Sequence, residues 1–464
     1  MNRISPSPRS PGKFAFMESI PQYQRRSRLD VLDYVLCLTI FSYIAWPYYI
    51  KLRLGIDFTP TKLLLLLWFG LAFVVYMLTP GRFAFAHHVI RRNGAPYRLL
   101  LVFVIWRGVG CIFSSDPALS LAEFVRSDLT FSFPLLVMTM YTIRSSAAVE
   151  ACFRTIFFAA IVVALIGIVE WRAESNPFTV GLNESSEGLA QLALDKSRDG
   201  AYRAQSTFFH PLAFGQFLAM AAAMLMGLRI NRFGILGRGI WLCAYAIFAI
   251  AIVATNTRSS IIGMFLVVLC FLFFSGAKFA RRMATKPQRM IIYAIIIFIA
   301  IIGAALSFGF VSELVAGRSA VEKSSSSVRI DMLIAGIPVV LQNPLFGVGI
   351  QNGAKAVGFT GAGGAATLDN LPLYLAVETG FPSMIAFYGA LFMVVMRVAR
   401  GQRRAQIQLK FQLIGLAITL VVFILTSTVS ALMQNIGVVY AVAALALITI
   451  SLCESGGVPH WEGK

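Results

Sequence analysis

Charged residues are scarce in this sequence: Asp, Glu, Lys and Arg make up only 13% of its 464 residues, whereas hydrophobic residues make up 58%. Soluble domains carry roughly 25% charged residues. A chain this poor in charge, with its apolar residues in long runs, cannot fold as a water-facing globule. The composition therefore excludes an ordinary soluble protein, and the even spread of the runs predicts one helical bundle in lipid.

Acidic residues are the scarcer kind of charge, with 21 Asp+Glu against 40 Lys+Arg and a net charge of +19. In a soluble protein this excess would indicate nucleic-acid binding. Here the basic residues form short clusters between apolar runs, a pattern that orients membrane proteins, and no groove-reading motif accompanies them. We expect membrane lipids as neighbours and no nucleic-acid partner.

No CxxC pair occurs among the six cysteines, which lie in or beside apolar runs. We interpret them as small buried hydrophobic residues. His87 and His88 lie in a basic loop without further ligand residues, so the sequence predicts no metal site and no cofactor. The first thirty residues lack an apolar segment. We therefore expect no cleaved signal peptide, and a basic cytoplasmic tail over 1–30.

Apolar runs of the length needed to cross a bilayer recur along the chain. They predict an all-α membrane protein, a polytopic bundle of about twelve transmembrane helices. The predicted spans lie near 31–50, 63–79, 98–114, 129–143, 152–171, 211–228, 239–255, 260–275, 290–308, 373–396, 411–430 and 434–453.

The basic clusters give these spans an orientation, because cytoplasmic segments hold the excess of Lys and Arg. Both termini are then cytoplasmic, with a transmembrane domain over 31–453 and a C-terminal tail over 454–464. Two long loops, about 172–210 and 309–372, lie on the outer face. Loops of this length are usually functional or disordered.

The second outer loop has a helical and a flexible part. Residues 327–342 predict a short amphipathic helix with Ser327 as its N-cap and Pro338 bending it. The glycine-rich tract 361–364 has the composition of a hinge.

Two arginines of the outer face are candidates for binding an anion. Arg258 lies in a connection of about four residues at the membrane boundary, where a guanidinium can grip a phosphate or simply snorkel. Arg329 falls in the predicted first turn of the loop helix, where the helix dipole disfavours a cation. Asp331 could pair with it, so both arginines keep a structural alternative.

Four further residues complete the candidate set on the outer face. Asp369 and Asn370 precede a span, which is also a common place for a helix cap. His210 opens the sixth span as a possible base or a polar helix start, and Glu378 lies just inside the tenth span.

Several stretches resemble, in order, the motifs of one membrane protein family. They are FSSDP at 113–117, FHP at 209–211, TNTRS at 255–259, SVR at 327–329 with NPLFGVG at 343–349, and DNL at 369–371 with ETG at 378–380. On these motifs the chain resembles the O-antigen ligase and Wzy-type polysaccharide polymerase superfamily, including ExoQ-like exopolysaccharide polymerisation proteins.

The resemblance implies a metal-independent glycosyltransferase of the bacterial inner membrane with a periplasmic active face. A glycan would pass from a polyprenyl diphosphate carrier to an acceptor sugar hydroxyl, with a flippase and a chain-length regulator as partners. The family's two key arginines map onto Arg258 and Arg329. Its histidine maps onto Asp369, a departure from the pattern. We predict catalytic roles for these three residues and substrate binding by His210, Asn370 and Glu378.

Two other functions compete with polysaccharide polymerisation. An O-antigen ligase would use the same donor and join the glycan to lipid A–core. A flippase or transporter of lipid-linked sugars would place charges near the bilayer midplane and show repeated halves. The longer outer loop, which belongs to one half of the chain only, and the few mid-span charges, chiefly Arg107 and Glu378, favour the transferase.

Overall fold

The chain folds as a bundle of α-helices. The computed structural model describes residues 29–47, 50, 52–53, 57–178, 197, 200–228, 234–283, 320–358, 368–402, 407–431 and 433–454. Within these ranges, β-structure is limited to an antiparallel pair, β1 (Leu52–Arg53) and β2 (Asp57–Phe58). The predicted all-α class is confirmed.

Fifteen α-helices lie in the described part of the chain. They are α1 (Val31–Ala45), α2 (Pro60–Leu78), α3 (Ala84–Arg92), α4 (Gly94–Gly110), α5 (Pro117–Glu123), α6 (Phe133–Thr142), α7 (Ser146–Ala173), α8 (Pro211–Leu225), α9 (Gly234–Ala254), α10 (Arg258–Met283), α11 (Ala320–Gln342), α12 (Gly353–Val357), α13 (Leu371–Gly401), α14 (Ile407–Ser427) and α15 (Ile436–Glu454). A π-helical segment, Phe124–Ser132, joins α5 to α6.

Six helices of the described part are long and apolar enough to cross a membrane: α2, α4 with its following turn, α7, α13, α14 and α15. Shorter apolar helices are α1, α8 and the described apolar portions of α9 and α10. The predicted spans fall on these helices and on α6, except for the ninth span, 290–308, which lies outside the described residues. The protein is an integral membrane protein, and the count of twelve spans stays a prediction.

Polar contacts define two opposite ends of the bundle. One, which we call the Arg82 end, joins the start of α1 to the ends of α2 and α6, and the start of α4 to the ends of α13 and α15. Its contacts are Arg82–Asp30 at 2.7 Å, Arg144–Asp30 at 2.8 Å, Arg92–Glu454 at 2.6 Å, Asn93–Ser451 at 2.8 Å and Arg397–Asn93 at 2.6 Å.

The other end, which we call the Arg258 end, gathers the end of α1, the starts of α8, α13 and α15, and the connections between them. Its contacts are Thr207 Oγ1 to the Ile44 carbonyl at 2.9 Å, Phe209 N–H to Gln434 Oε1 at 2.9 Å, Ala204 N–H to the Ala254 carbonyl at 3.0 Å and Asn370 Nδ2 to the Thr428 carbonyl at 2.9 Å. The predicted functional residues His210, Arg258, Asp369 and Asn370 therefore lie at the same end of the bundle.

Helices α8 and α15 lie at the centre of the bundle. A helix that is apolar all round belongs in a buried position, and the apolar window of α15 is 94% buried. The corresponding window of α2 is 17% buried, which places α2 at the periphery.

Helix α11 differs from its prediction in where it begins. It begins at Ala320, not after Ser327, because Glu322 and Lys323 favour helix and the serines after them are tolerated inside it. Arg329 therefore lies in the helix interior rather than in its first turn. Ile330, Ile334, Ile337 and Leu341 are exposed on this helix. Pro338 does lie within the helix, and the predicted hinge at 361–364 lies outside the described residues.

Helices α11 and α13 run side by side in the same direction. The Asp369 N–H approaches the Met332 sulfur at 3.5 Å, Gly336 packs against the Leu373 side chain, and the Phe381 N–H donates to the Pro344 carbonyl at 2.9 Å. Each pair is separated by 37 positions in the chain. This constant register places Arg329 one helical turn from the contact with Asp369.

Candidate active site

Arg258 is the first residue of α10, after a connection of three residues, 255–257, from the end of α9. Asn256 takes a left-handed conformation with φ 48°, which closes this tight turn. Gly215 of α8 packs directly on Thr257 and Ser260. The absence of a side chain at Gly215 thus lets the start of α10 approach α8, and the predicted position of Arg258 at a short interhelical turn is confirmed.

Arg203 was not predicted and lies at the same end of the bundle. Its Nε donates to the Thr255 carbonyl at 3.1 Å, at the C-terminal end of α9, where the helix dipole favours a cation. Its charge also acts on the Asp369 carboxylate. Arg203 therefore links the turn before Arg258 with Asp369.

A buried carboxylate holds the turn that carries Arg203. Glu170, fully buried at the end of α7, accepts the Ser206 N–H at 2.5 Å, the Gln205 N–H at 3.2 Å and the Tyr202 hydroxyl at 2.9 Å. Carboxylates with several donors are strongly held. Sequence analysis missed this role, because Glu170 is simply a polar residue at the end of an apolar run.

Asp369 lies between α11 and the start of α13, within the field of Arg329 and Arg203. Burial raises the pKa of Asp369 above its ordinary value, and the charges of Arg329 and Arg203 partly oppose that rise. Asp331, the alternative partner proposed for Arg329, is exposed.

Two of the predicted substrate-binding residues are helix caps. Asn370 caps α13 by accepting the Leu373 N–H at 2.9 Å, and its Nδ2 donates to the Thr428 carbonyl. His210 caps α8, its Nδ1 accepting the Leu212 N–H at 3.1 Å. The helix-cap role that the sequence allowed for Asn370, and the helix-start role that it allowed for His210, are thus both present. Their roles in binding substrate stay predictions.

Glu378, the third of these residues, is fully buried in α13 and faces the loop after α11. Its Oε1 accepts the Gln351 N–H at 2.7 Å, and its backbone carbonyl accepts the Gly349 N–H at 2.9 Å. The helix breaks two residues later at Gly380, where φ is 80°. Glu378 therefore holds the 343–353 loop against the break of α13 at Gly380. This is a structural role, separate from that of Asp369.

The early FSSDP motif packs on the same loop. Ser115 N–H donates to the Val348 carbonyl at 3.1 Å and Ser120 Oγ to the Ile350 carbonyl at 2.9 Å. The rings of Phe113 and Phe346 stack with their centroids 4.2 Å apart. Three motifs distant in sequence thus form one structural unit beneath the arginines.

Arg107 and Asp128 form a fully buried ion pair, with Arg107 Nη2 3.0 Å from Asp128 Oδ2. Arg107 lies one turn from the end of α4, and Glu378 and Tyr374 are among its charged and polar neighbours. The pair therefore belongs to the packing below the 343–353 loop.

The described residues thus bring Arg203, Arg329 and Asp369 within electrostatic reach of one another, beside the turn that precedes Arg258. Arginines can bind a phosphate oxygen without a metal. Within the described part of the chain, no group of three or more His, Cys, Asp or Glu could hold a metal ion.

The fold and the site define a class of protein: an α-helical integral membrane protein with arginines gathered at one end of its bundle. Residues 243–388 match the model of the O-antigen ligase family. The chain therefore carries a domain of the O-antigen ligase/Wzy-type superfamily, and the resemblance of its motifs is confirmed. The match includes Arg258, Arg329 and Asp369, whereas Arg203 and His210 precede it. A comparison with curated proteins finds no match.

Proposed function

We propose that the protein is a membrane glycosyltransferase that moves a glycan from a polyprenyl diphosphate carrier to an acceptor sugar hydroxyl, on the periplasmic face, during exopolysaccharide or O-antigen polymerisation. The observation that carries the proposal is the convergence of Arg203, Arg329 and Asp369 next to Arg258, at one end of a membrane bundle. The O-antigen ligase match over this region supports it.

The reaction needs two kinds of group. The acceptor hydroxyl oxygen attacks the anomeric carbon, and the bond from that carbon to the diphosphate oxygen breaks. The diphosphate leaves with the electron pair, and positioned arginines stabilise its growing negative charge. Arg258 and Arg329 are the proposed donors to it.

The proton of the acceptor hydroxyl passes to a base, for which we propose Asp369. A carboxylate with a raised pKa is a stronger base than an exposed one, provided that it is ionised at the working pH. The neighbouring Arg329 and Arg203 favour the ionised form. Asp369 thus supplies the base, and the charges of Arg329 and Arg203 favour its deprotonated form.

The test is glycan transfer by purified protein with a lipid diphosphate-linked donor and an acceptor. Arg258→Ala and Arg329→Ala should lose about 10²–10³-fold in rate. Arg154→Ala is the matched control, because Arg154 is an exposed arginine paired with Glu150 on α7. A flippase would form no new glycosidic bond, and that result would exclude the transferase.

Polymerase and ligase differ in the acceptor, so the cell envelope of a deletion strain separates them. Single repeat units on the envelope indicate a lost polymerase. Long chains that are not attached to lipid A–core indicate a lost ligase.

A further inference from the structure

The turn 202–206, which precedes α8, contains one charged residue, Arg203. Tyr202 and Arg203 are half-buried, and the rest of the turn is buried. Ser206, the last residue of the turn, takes the left-handed conformation with φ 56°. A serine is strained in this region of backbone space, so the surrounding contacts must hold it there.

Helix α7 supplies the contacts that hold Ser206. Glu170 Oε2 accepts the Ser206 N–H at 2.5 Å, and the Val163 carbonyl accepts the Ser206 hydroxyl at 2.8 Å. The Ser206 carbonyl accepts from Asn176 Nδ2 at 3.0 Å, and the same nitrogen lies 3.2 Å from Glu170 Oε1. All three polar groups of Ser206 are therefore bonded to α7 or to the residues just after it.

Glu170 is a fully buried carboxylate whose hydrogen-bond donors within the described residues are neutral. These donors are the Ser206 N–H, the Gln205 N–H, the Tyr202 hydroxyl and the Asn176 amide. Burying a carboxylate is costly, and a neutral side chain of similar size would fill the same space at a lower cost. Three of the four donors belong to the turn that contains Arg203. The carboxylate therefore fixes this turn more firmly than packing alone requires.

Arg203 is held at both ends of its side chain. Its backbone belongs to the turn fixed by Glu170, and its Nε donates to the Thr255 carbonyl at the end of α9. From there its charge acts on the Asp369 carboxylate, together with the charge of Arg329 on α11. A charge that is already in place needs no reorganisation when the reaction occurs.

We propose that Glu170 is a positioning residue for the transfer reaction, which holds the turn 202–206 so that Arg203 keeps its charge beside Asp369. This inference rests on the proposed function and adds a residue that acts through Arg203. Loss of the hydrogen bonds to Glu170 releases the strained Ser206, and the turn then moves Arg203 away from Asp369. The base thereby loses part of the positive charge that favours its ionised form.

The test replaces Glu170 by Gln, and Glu150→Gln near the opposite end of α7 is the matched control. Glutamine keeps the size of the side chain, but its NH₂ group cannot accept the backbone N–H groups of the turn. In Glu170→Gln the acid limb of the rate–pH profile of glycan transfer should move to higher pH, by up to about one unit. Glu150 pairs with the exposed Arg154, so Glu150→Gln should keep the profile of the wild type.

A double variant shows whether Glu170 acts through Arg203. Glu170→Gln/Arg203→Gln should have the same acid limb as Arg203→Gln alone, because a positioning residue has no effect once the charge that it positions is gone. A purely structural Glu170 would lower the temperature of thermal unfolding and leave the acid limb in place. An unmoved limb in Glu170→Gln, or additive shifts in the double variant, would overturn the proposal.

Tyr202→Phe removes a single donor to Glu170 and replaces Glu170→Gln if that variant does not fold. Its acid limb should move in the same direction by a smaller amount, and an unmoved limb would count against the positioning role.

If the wild type transfers no glycan, the proposed function fails, and Asp369 is then titrated without catalysis. Carbodiimide labels the protonated carboxyl, so its reaction with Asp369 is followed by mass spectrometry over a pH series. Labelling should persist to higher pH in Glu170→Gln and in Arg203→Gln than in the wild type. The same pH dependence in the wild type and in Glu170→Gln would refute the positioning of Arg203 by Glu170.

Discussion

Asp369 is the proposed base, and its surroundings predict how it behaves. Burial sets its pKa above the ordinary carboxyl value of 3.8, while two arginines hold the rise in check. A base is active when deprotonated, so transfer should fall as pH drops through this raised pKa. The acid limb of the rate–pH profile should therefore lie above that of an exposed carboxyl.

Replacing Asp369 by Asn keeps the shape and removes the base. Transfer should fall about 10²–10⁴-fold, and the acid limb should disappear from the profile of the remaining activity. His210→Asn is the comparison, because Asn can cap α8 as His210 does. Full activity in Asp369→Asn, with loss in His210→Asn, would transfer the role to the histidine.

Arg203 offers a second test at the residue scale. Its charge lowers the pKa of Asp369, so Arg203→Gln should raise that pKa and move the acid limb to higher pH. Arg203→Lys should restore most of the original position, since the charge remains. The measurement is the same rate–pH profile, and an unmoved limb in Arg203→Gln would remove the electrostatic role.

The buried pair of Arg107 and Asp128 should act mainly on stability. Removing one partner leaves a buried charge uncompensated, so Asp128→Leu should cost about 3–5 kcal/mol. The double variant Arg107→Met/Asp128→Leu should recover most of that loss, because both charges are gone. Thermal unfolding in detergent measures the cycle. A double variant that is no more stable than Asp128→Leu would contradict this account.

The positions and contacts of the site residues could be predicted from the sequence to different degrees. The position of Arg258 followed from two apolar runs with hardly any chain between them. Arg203 did not, because its partner Thr255 lies 52 residues further along the chain. The sequence shows Glu378 as a charge in a predicted span. Its contact with the Gln351 N–H depends on how the preceding 343–353 loop packs against α13, which the sequence does not show.

At the scale of elements, the break in α13 is the most demanding feature. Gly380 has φ 80°, and an added Cβ would overlap the Leu345 backbone. Gly380→Ala should therefore destabilise the protein by at least about 1–3 kcal/mol from strain alone, and lower transfer through the displaced 343–353 loop.

Gly389→Ala on the same helix is the matched control for Gly380→Ala. Its added Cβ would meet only the Leu99 side chain at 3.8 Å, an ordinary contact. This variant should be as stable as the wild type or slightly more so, since Ala favours helix over Gly. Equal thermal unfolding of the two variants would show that the break tolerates a side chain.

The elements themselves were mostly predictable, because a span needs a long apolar run and such runs are visible in sequence. The start of α11 was not, since a run of serines resembles a cap until its tertiary setting is known. The break at Gly380 was equally hidden, because a single glycine inside an apolar run has no unique conformation.

The whole molecule has a testable orientation. The Arg258 end should face the periplasm and the Arg82 end the cytoplasm, because the Arg82 end holds the arginine contacts expected on the cytoplasmic side. Ala118→Cys and Arg91→Cys place exposed thiols at the two ends. A membrane-impermeant maleimide should label the first variant in intact cells and the second only after permeabilisation. The reverse pattern would invert the topology.

The central place of α15 bears on how the protein is made. This helix follows the other described helices in the chain, so it leaves the ribosome after them, yet its neighbours surround it on nearly every side. Helices inserted earlier must hold a vacant channel in the middle of the bundle until α15 arrives. Completion of the bundle, and with it the contact between Gln434 and the start of α8, is thus tied to the insertion of α15.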